Sequence, residues 1–199
     1  MTMRRCLSLA YRALSILALA WPLPLCARDS ILVLDPAQTQ VTFTLNDVLH
    51  TVHGTFKLKQ GSIEFDPATG KATGSIVVDT TSGYSGSAPR DRRMHRDILE
   101  SSRYPEMVFI PSRILGNLSP QGKSQLQLEG LMQVHGAEHP LTVQVTVQIS
   151  GDQVTAESHF VIPYVHWGMK NPSTFLLRVS DRVDLEVHTA GRLTVAPAS

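Results

Sequence analysis

Cysteine is scarce in this chain, and the little that is present lies at one end. The two cysteines, Cys6 and Cys26, both fall within the first 27 of the 199 residues. Residues 28–199 therefore contain no thiol, which excludes a disulfide framework from that part of the chain. Its stability must come from the packing of side chains.

The chain also lacks a strong excess of charge of either sign. It has 18 Lys and Arg against 17 Asp and Glu, a formal net charge of +1. Three of the cations, Arg4, Arg5 and Arg12, lie in the first 27 residues without any acid, so the remainder carries a formal charge of −2. Neither value gives a field that would attract nucleic acid, and no nucleic-acid partner is expected.

A hydrophobic run long enough to span a membrane is missing too. The most apolar stretch, residues 13–21, is shorter than the roughly 20 residues that a spanning helix needs, and it ends at Pro22 and Pro24. Because three arginines precede it, the stretch is typical of a secretory signal peptide.

Residues 1–27 are accordingly predicted to be a signal peptide that is cleaved after Ala27. Residues 28–199 are then a single domain of a periplasmic or secreted protein. A lipidated Cys26 is the alternative, although Leu25 stands where a lipoprotein signal has a small residue.

Alternation of apolar and polar residues is what the chain has in abundance. Its clearest example, residues 141–149, reads Leu-Thr-Val-Gln-Val-Thr-Val-Gln-Ile. A period of two is typical of a strand with one buried face. Turn residues such as those at 66–70 and 150–152 separate the runs, so that neighbouring strands should be antiparallel. The predicted strands are 41–45, 52–58, 63–65, 72–79, 107–110, 125–132, 141–149, 154–162 and 183–187.

Three segments depart from this alternation. Residues 80–89 are small and polar and predict a loop. In residues 89–100, Met94 and Ile98 are four apart, which places them on the inner face of a short helix. Residues 163–175 are rich in aromatics but contain prolines, and they predict an apolar loop at the mouth of a ligand site.

The predicted strands indicate an all-β fold. An antiparallel sheet of this size has open edges unless it packs on a second sheet or closes on itself. Closure gives an up-and-down β-barrel. A nine-residue strand spans roughly 30 Å, so such a barrel could hold an elongated guest. Alternation alone leaves open a barrel whose interior is filled by its own side chains.

One motif suggests a different function. The stretch His135-Gly136-Ala137-Glu138-His139 fits the H-x-x-E-H pattern of zinc peptidases, and an exported zinc-dependent hydrolase is the alternative hypothesis. That chemistry needs a helix, so that both histidines meet the metal on one face. Gly136 and the following Pro140 oppose a helix and favour a hairpin turn. We therefore expect no metal, no cofactor and no catalytic residue.

Two further histidines, His50 and His53, lie three apart in a predicted strand. This spacing places them on opposite faces of the strand, which argues against a shared metal ion. Together with Arg90 they are candidates for contact with a polar head group.

A series of short motifs is similar to those of a known family. The chain resembles the YceI-like family, exported proteins that bind polyisoprenoid lipids, from Leu34 to His188. The resemblance implies an elongated, lipocalin-like barrel of eight antiparallel strands, with an isoprenoid chain in an apolar tunnel and no catalysis. The motifs are Asp35-Pro36, Val52-His53-Gly54-Thr55-Phe56, Gly61-Ser62-Ile63-Glu64-Phe65-Asp66-Pro67, Arg90-Asp91, Tyr104-Pro105-Glu106-Met107-Val108-Phe109 and Gly130-Leu131-Met132-Gln133-Val134-His135-Gly136.

The expected ligand is a long-chain isoprenoid lipid or a quinone-like molecule, and the one other contact considered is a transient one with a membrane. The oligomeric state, monomer or dimer, is left open. The candidate ligand-binding residues of the wall share the inward parity of their strands: Phe43, Leu45, Phe56, Leu58, Phe65, Ile76, Val78, Phe109, Leu128, Met132, Val143, Val145 and Phe160. Those that would shape the ends are Met94, Ile98, Trp167, Met169 and Phe175.

Overall fold

In the part of the chain that the structure describes, nine antiparallel strands form one sheet that closes on itself. The computed structural model describes residues 29–46, 50–174 and 178–195. The predicted signal peptide and Phe175 therefore lie outside the described residues. The strands are β1 Ser30–Leu34, β2 Gln40–Asn46, β3 Thr51–Phe65, β4 Ala72–Tyr84, β5 Glu106–Leu115, β6 Gly122–Val134, β7 Ala137–Ser150, β8 Gln153–Ile162 and β9 Val183–Val195.

The first two strands together occupy one position of the barrel. Strand β1 pairs with the second half of β3, with Ser30 opposite Phe65, and β2 pairs with the first half, with Val41 opposite Phe56. Both strands also pair with β9 on their other side. With β1 and β2 counted as one split strand, the barrel has eight antiparallel positions. The prediction of an eight-stranded barrel is confirmed.

A short 3₁₀ turn, Pro36–Gln38, splits this strand. Pro36 has no N–H to donate to a neighbouring strand, so the ladder stops there. The Asp35 carboxylate accepts hydrogen bonds from the Ala37 N–H at 2.8 Å and from the Gln38 amide at 2.6 Å. These two bonds, the Gln38 one first, lower the pKa of Asp35 below its usual value.

Replacement of Asp35 by asparagine should make the protein less sensitive to acid. Because the pKa of Asp35 is lowered in the folded state, its ionised form stabilises the fold above the unfolded pKa of about 4, and this contribution is lost as the pH falls. Asparagine keeps an acceptor oxygen but does not titrate. Urea unfolding between about pH 5 and about pH 3 should show a smaller loss of stability in Asp35→Asn than in the parent chain. Equal losses in the two proteins would contradict this role of Asp35.

The strands differ from the prediction at several points, and β5, β6, β7 and β9 are all longer than the predicted 107–110, 125–132, 141–149 and 183–187. Strand β3 is continuous, although two strands were expected, because bulges near Lys57 and Gln60 shift its register and break the alternation. Strand β4 extends into the predicted loop as far as Tyr84 through small polar residues. Strand β1 was missed, because Ser30–Leu34 is a short apolar run without alternation.

The two ends of the barrel are built differently. At one, here called the turn end, short connections join β3 to β4, β5 to β6 and β7 to β8. At the other, the cap end, longer connections lie between β4 and β5 and between β8 and β9. The first of these contains the α-helix Ala88–Arg93 and the π-helical turn Met94–Ile98, together called the cap helix. The predicted short helix is confirmed. Within the described ranges, no helix is long and apolar enough to cross a membrane.

Candidate ligand tunnel

A cavity of about 300 Å³ lies inside the barrel. Every strand contributes its inward-facing residues to the wall, and the wall is apolar almost throughout. It extends from Phe65 and Leu193 near the turn end to Ile98 and Met169 at the cap end. The interior is therefore a tunnel along the barrel axis, and the alternative of a completely filled interior does not describe this structure.

Sixteen of the eighteen predicted ligand-binding residues lie in the wall of this tunnel. They are Phe43, Leu45, Phe56, Leu58, Phe65, Ile76, Val78, Met94, Ile98, Phe109, Leu128, Met132, Val143, Val145, Phe160 and Met169. Trp167 does not line the tunnel, and Phe175 is not among the described residues.

The wall also contains residues that were not predicted. Some, such as Val41 and Val147, share the inward parity of predicted neighbours, and the alternation could have identified them. Leu32 and Leu34 were missed together with strand β1. Leu118 lies in an irregular connection, where no period in the sequence marks it.

The shape of the tunnel near β2 depends on a glycine. The rings of Phe43 and Phe56 lie 5.3 Å apart between centroids, tilted by 41°. Gly54 is opposite Phe43 in the β2–β3 pair. A Cβ at Gly54 would lie 2.3 Å from the Phe43 ring and 2.6 Å from the Tyr84 carbonyl oxygen. The absent side chain therefore leaves room for the Phe43 ring in the wall.

Three hydroxyl-bearing residues of the wall are grouped at one level. Thr39, Ser158 and Thr189 all line the tunnel where β8 and β9 pass the break between β1 and β2. The Thr39 and Thr189 hydroxyls share a hydrogen bond of 2.6 Å. Thr39 also donates to the Asp35 carbonyl oxygen at 2.8 Å. A polar group on a guest molecule would meet hydroxyl groups at this level.

The loop between β8 and β9 lies across the cap end. Tyr164 and Met169 from this loop are buried in one cluster with Val134 and Ile162. The Tyr164 hydroxyl donates to the Ser180 carbonyl oxygen at 2.7 Å, and burial raises the pKa of Tyr164 to about 12. The loop therefore packs as part of the barrel interior.

Trp167 holds this loop to the rest of the barrel. Its ring stacks on the His139 ring with centroids 4.4 Å apart and planes within 3°. Burial, followed by the nearby His166, lowers the pKa of His139 and favours the neutral imidazole. Trp167 thus joins the loop to β7 and does not touch the guest space.

The candidate zinc motif forms a hairpin turn between β6 and β7. His135 and Gly136 both have positive φ values, 52° and 79°. The His135 Nε2 lies 3.4 Å from the Glu100 carboxylate, Glu138 accepts a hydrogen bond from Gln133, and His139 stacks on Trp167. The three side chains therefore have separate partners. In the part of the chain that the structure describes, no group of three His, Cys, Asp or Glu residues is arranged to hold a metal ion.

The candidates for head-group contact do not lie in the wall. His53 is exposed and hydrogen-bonded to Thr44 at 3.0 Å, and His50 is exposed as well. Arg90 donates to the Ser85 hydroxyl at 2.7 Å and to the Ser85 carbonyl oxygen at 2.6 Å, which fixes the start of the cap helix. The structure does not bring these three residues to the tunnel.

Comparison with known proteins identifies the family. A model of the YceI-like domain matches residues 32–190, from the first strand to the last. The chain belongs to the YceI-like family. A UPF0312 protein of Vibrio parahaemolyticus is 25% identical over 181 residues, covering 88% of this chain and 94% of the relative. A UPF0312 protein of Pseudomonas savastanoi is 28% identical over 102 residues, which is 50% of this chain and 51% of the relative.

Solved structures share the YceI-like fold. BcnA of Burkholderia cenocepacia superposes with a TM-score of 0.63 at 20% identity, covering 79% of this chain and 98% of BcnA. A polyisoprenoid binding domain from Saccharophagus degradans, implicated in plant cell wall breakdown, superposes with a TM-score of 0.64 at 18% identity, covering 82% of this chain and 98% of that domain. At these identities the likeness concerns the fold.

Proposed function

We propose that this YceI-like barrel is an exported carrier that binds a long-chain polyisoprenoid lipid, or a quinone with an isoprenoid tail, in its tunnel. The observation that carries the proposal is the apolar cavity along the barrel axis, to which every strand contributes. The fold shared with a polyisoprenoid binding domain supports the same class of ligand. The carrier releases its guest chemically unchanged.

The energy of burial is sufficient for tight binding without polar contacts. Removing about 400 Å² of chain surface from water contributes roughly 10 kcal/mol at about 25 cal/mol per Å², before the cost of association. Because apolar contact is not directional, selectivity is for the length and shape of the guest.

The length of the tunnel follows from the strands. The wall residues of β6 run from Leu126 to Val134, which is about 31 Å of strand at about 3.4 Å per residue. A strand tilt of about 40° reduces this to about 23 Å along the barrel axis. An extended chain of this length fits the tunnel better than a globular guest.

The residues that line the tunnel also support a carrier over a hydrolase. Apart from Glu157, Ser158, Thr39, Thr189 and Tyr164, the described wall is formed by aliphatic side chains, Met and Phe. Hydrolysis by a nucleophile needs an adjacent base. The wall contains no histidine or lysine among its described residues, and the Glu157 side chain is exposed on the outer face, 3.6 Å from His188, so that no base lies beside Ser158 inside the tunnel.

Native mass spectrometry of residues 28–199, combined with lipid extraction, tests the proposal. We expect a co-purifying isoprenoid, or uptake of an added polyprenol or quinone in a one-to-one complex. A protein that carries no lipid and ignores both added ligands would refute the carrier. One equivalent of zinc, with an activity that His135→Ala removes, would favour the hydrolase.

A further inference from the structure

The two ends of the barrel differ in charge. The described residues of the connections at the cap end are 50, 85–105, 135–136, 163–174 and 178–182, and they contain eight Lys and Arg against four Asp and Glu. The connections at the turn end, residues 66–71, 116–121 and 151–152, contain one Lys and two Asp. The cap end is therefore net positive on a chain whose predicted mature form is net negative.

The cap helix separates an apolar side from a basic side. Met94 and Ile98 face the tunnel. Arg92, Arg93 and Arg96 are exposed to solvent, and the Arg96 side chain is 77% accessible. The same short segment thus covers the guest space with its inner side and presents guanidinium groups with its outer side.

The loop between β8 and β9 adds to this basic surface. The Arg93 guanidinium donates to the Pro172 carbonyl oxygen at 3.0 Å, which joins the cap helix to the loop. Lys170, exposed in that loop, is close enough to Asp97 to help lower the pKa of that carboxyl, after the larger effect of Arg96. We call the exposed cations Arg92, Arg93, Arg96 and Lys170 the basic face.

Acidic neighbours neutralise the basic face only in part. Asp97 pairs with Arg96 at 2.7 Å, and Glu100 lies 3.8 Å from Arg103. Neither carboxylate pairs with Arg92, so the excess of positive charge remains on the outer side of the cap. A surface of this kind attracts a negatively charged plane over a distance of about one Debye length.

We propose that the cap end docks on a bilayer surface rich in anionic phospholipid and exchanges the tunnel's guest there. The inference rests on the proposed function, since an isoprenoid guest is stored in a bilayer and must leave it. Charge complementarity favours an anionic bilayer as the partner of this surface, because lipid phosphates would contact the basic face. The cap helix and the loop between β8 and β9 are also the segments that cover the guest. The turn end has no comparable excess of cations.

Vesicle flotation tests the docking. The probes are vesicles of phosphatidylcholine alone or of phosphatidylcholine mixed with phosphatidylglycerol. The parent chain, residues 28–199, should bind the anionic vesicles roughly tenfold more strongly than the neutral ones, and added salt should weaken this binding. Equal binding to the two kinds of vesicle, or binding to neither, would overturn the proposal. If neither kind of vesicle binds, an acidic protein becomes the better candidate for the partner of the basic face.

Two double variants locate the docking surface. Arg92→Glu with Lys170→Glu reverses two exposed charges of the basic face, and Lys71→Glu with Lys123→Glu reverses two exposed charges near the turn end. The first pair should reduce binding to anionic vesicles by roughly tenfold or more, and the second by less than about threefold. Equal losses in both would show that net charge, and not the cap end, determines binding.

Uptake of polyprenol from detergent micelles separates this proposal from the carrier function. Both double variants should take up the ligand as the parent chain does, because none of the four residues lines the tunnel. Transfer from anionic vesicles should be slower only for the cap-end variant. A parent chain that floats with anionic vesicles but takes up no polyprenol would refute the carrier and leave the docking in place.

Discussion

Replacement of Val145 by aspartate is expected to abolish the uptake of lipid. Val145 lies in β7 between Leu126 of β6 and Ser158 of β8, and its side chain faces the tunnel. A carboxylate at this position would have no cation among the residues of the wall, and an unpaired charge in apolar surroundings costs several kcal/mol. Water drawn in by the carboxylate would occupy the space of the guest. Uptake of an added polyprenol is measured by native mass spectrometry.

Gln144→Asp is the matched control for this variant. Gln144 is the preceding residue on the exposed face of β7, so the same new charge meets solvent and uptake should stay within about twofold of the parent value. Circular dichroism establishes that each variant is folded. If Val145→Asp does not fold, Ser158→Phe blocks the tunnel with an apolar ring instead. A folded variant of either kind that takes up polyprenol normally would show that the tunnel is not the site.

Replacement of Gly54 by alanine is expected to destabilise the barrel strongly, although it adds only one methyl group. The new Cβ would lie 2.3 Å from the Phe43 ring and 2.6 Å from the Tyr84 carbonyl oxygen. A side chain can move away, but the backbone carbonyl belongs to the adjacent strand β4. We expect a loss of about 3 kcal/mol in the free energy of unfolding, measured with urea, and weaker uptake because the Phe43 ring is pushed into the tunnel.

Two companion variants identify the cause of that loss. Gly86→Ala adds the same methyl group where no atom lies within 4 Å, but at a positive φ of 81°, so it should cost only about 1 to 2 kcal/mol. Gly54→Ala combined with Phe43→Leu should recover part of the stability, because the ring contact is removed while the carbonyl contact remains. If the double variant is no more stable than Gly54→Ala, the whole loss of stability is due to the contact with the backbone of β4.

The sequence predicts the wall of this protein well, because the alternation within a single strand determines which of its residues face the barrel interior. A residue such as Val143 is placed by its immediate neighbours in a run with period two, and the strand then fixes the face to which it points. The predicted wall residues that the structure describes all lie in the tunnel. Alternation fails where a bulge adds a residue, as near Gln60 in β3, and where a short strand such as β1 is apolar on both faces.

The ends of the tunnel were harder to predict, since their contacts are not periodic. Trp167 was expected to shape the mouth, but it stacks on His139 in a strand far away in sequence. His53 and Arg90 were considered as head-group contacts and have partners outside the wall. Contacts between a loop and a distant strand depend on how the chain closes, and no local pattern contains that information. The class of ligand came from the family resemblance and not from the alternation.

The split strand also determines when this fold can be completed. Strands β1 and β2 at the start of the chain pair with β9 at its end, so that Ser30 lies opposite Val195. Until β9 has emerged, the edges of β2 and β8 have no partner, and the apolar interior stays open to water. Pairings between such distant parts of a sequence form slowly. The barrel therefore cannot close until β9 is available, and its apolar interior is enclosed only at that last step.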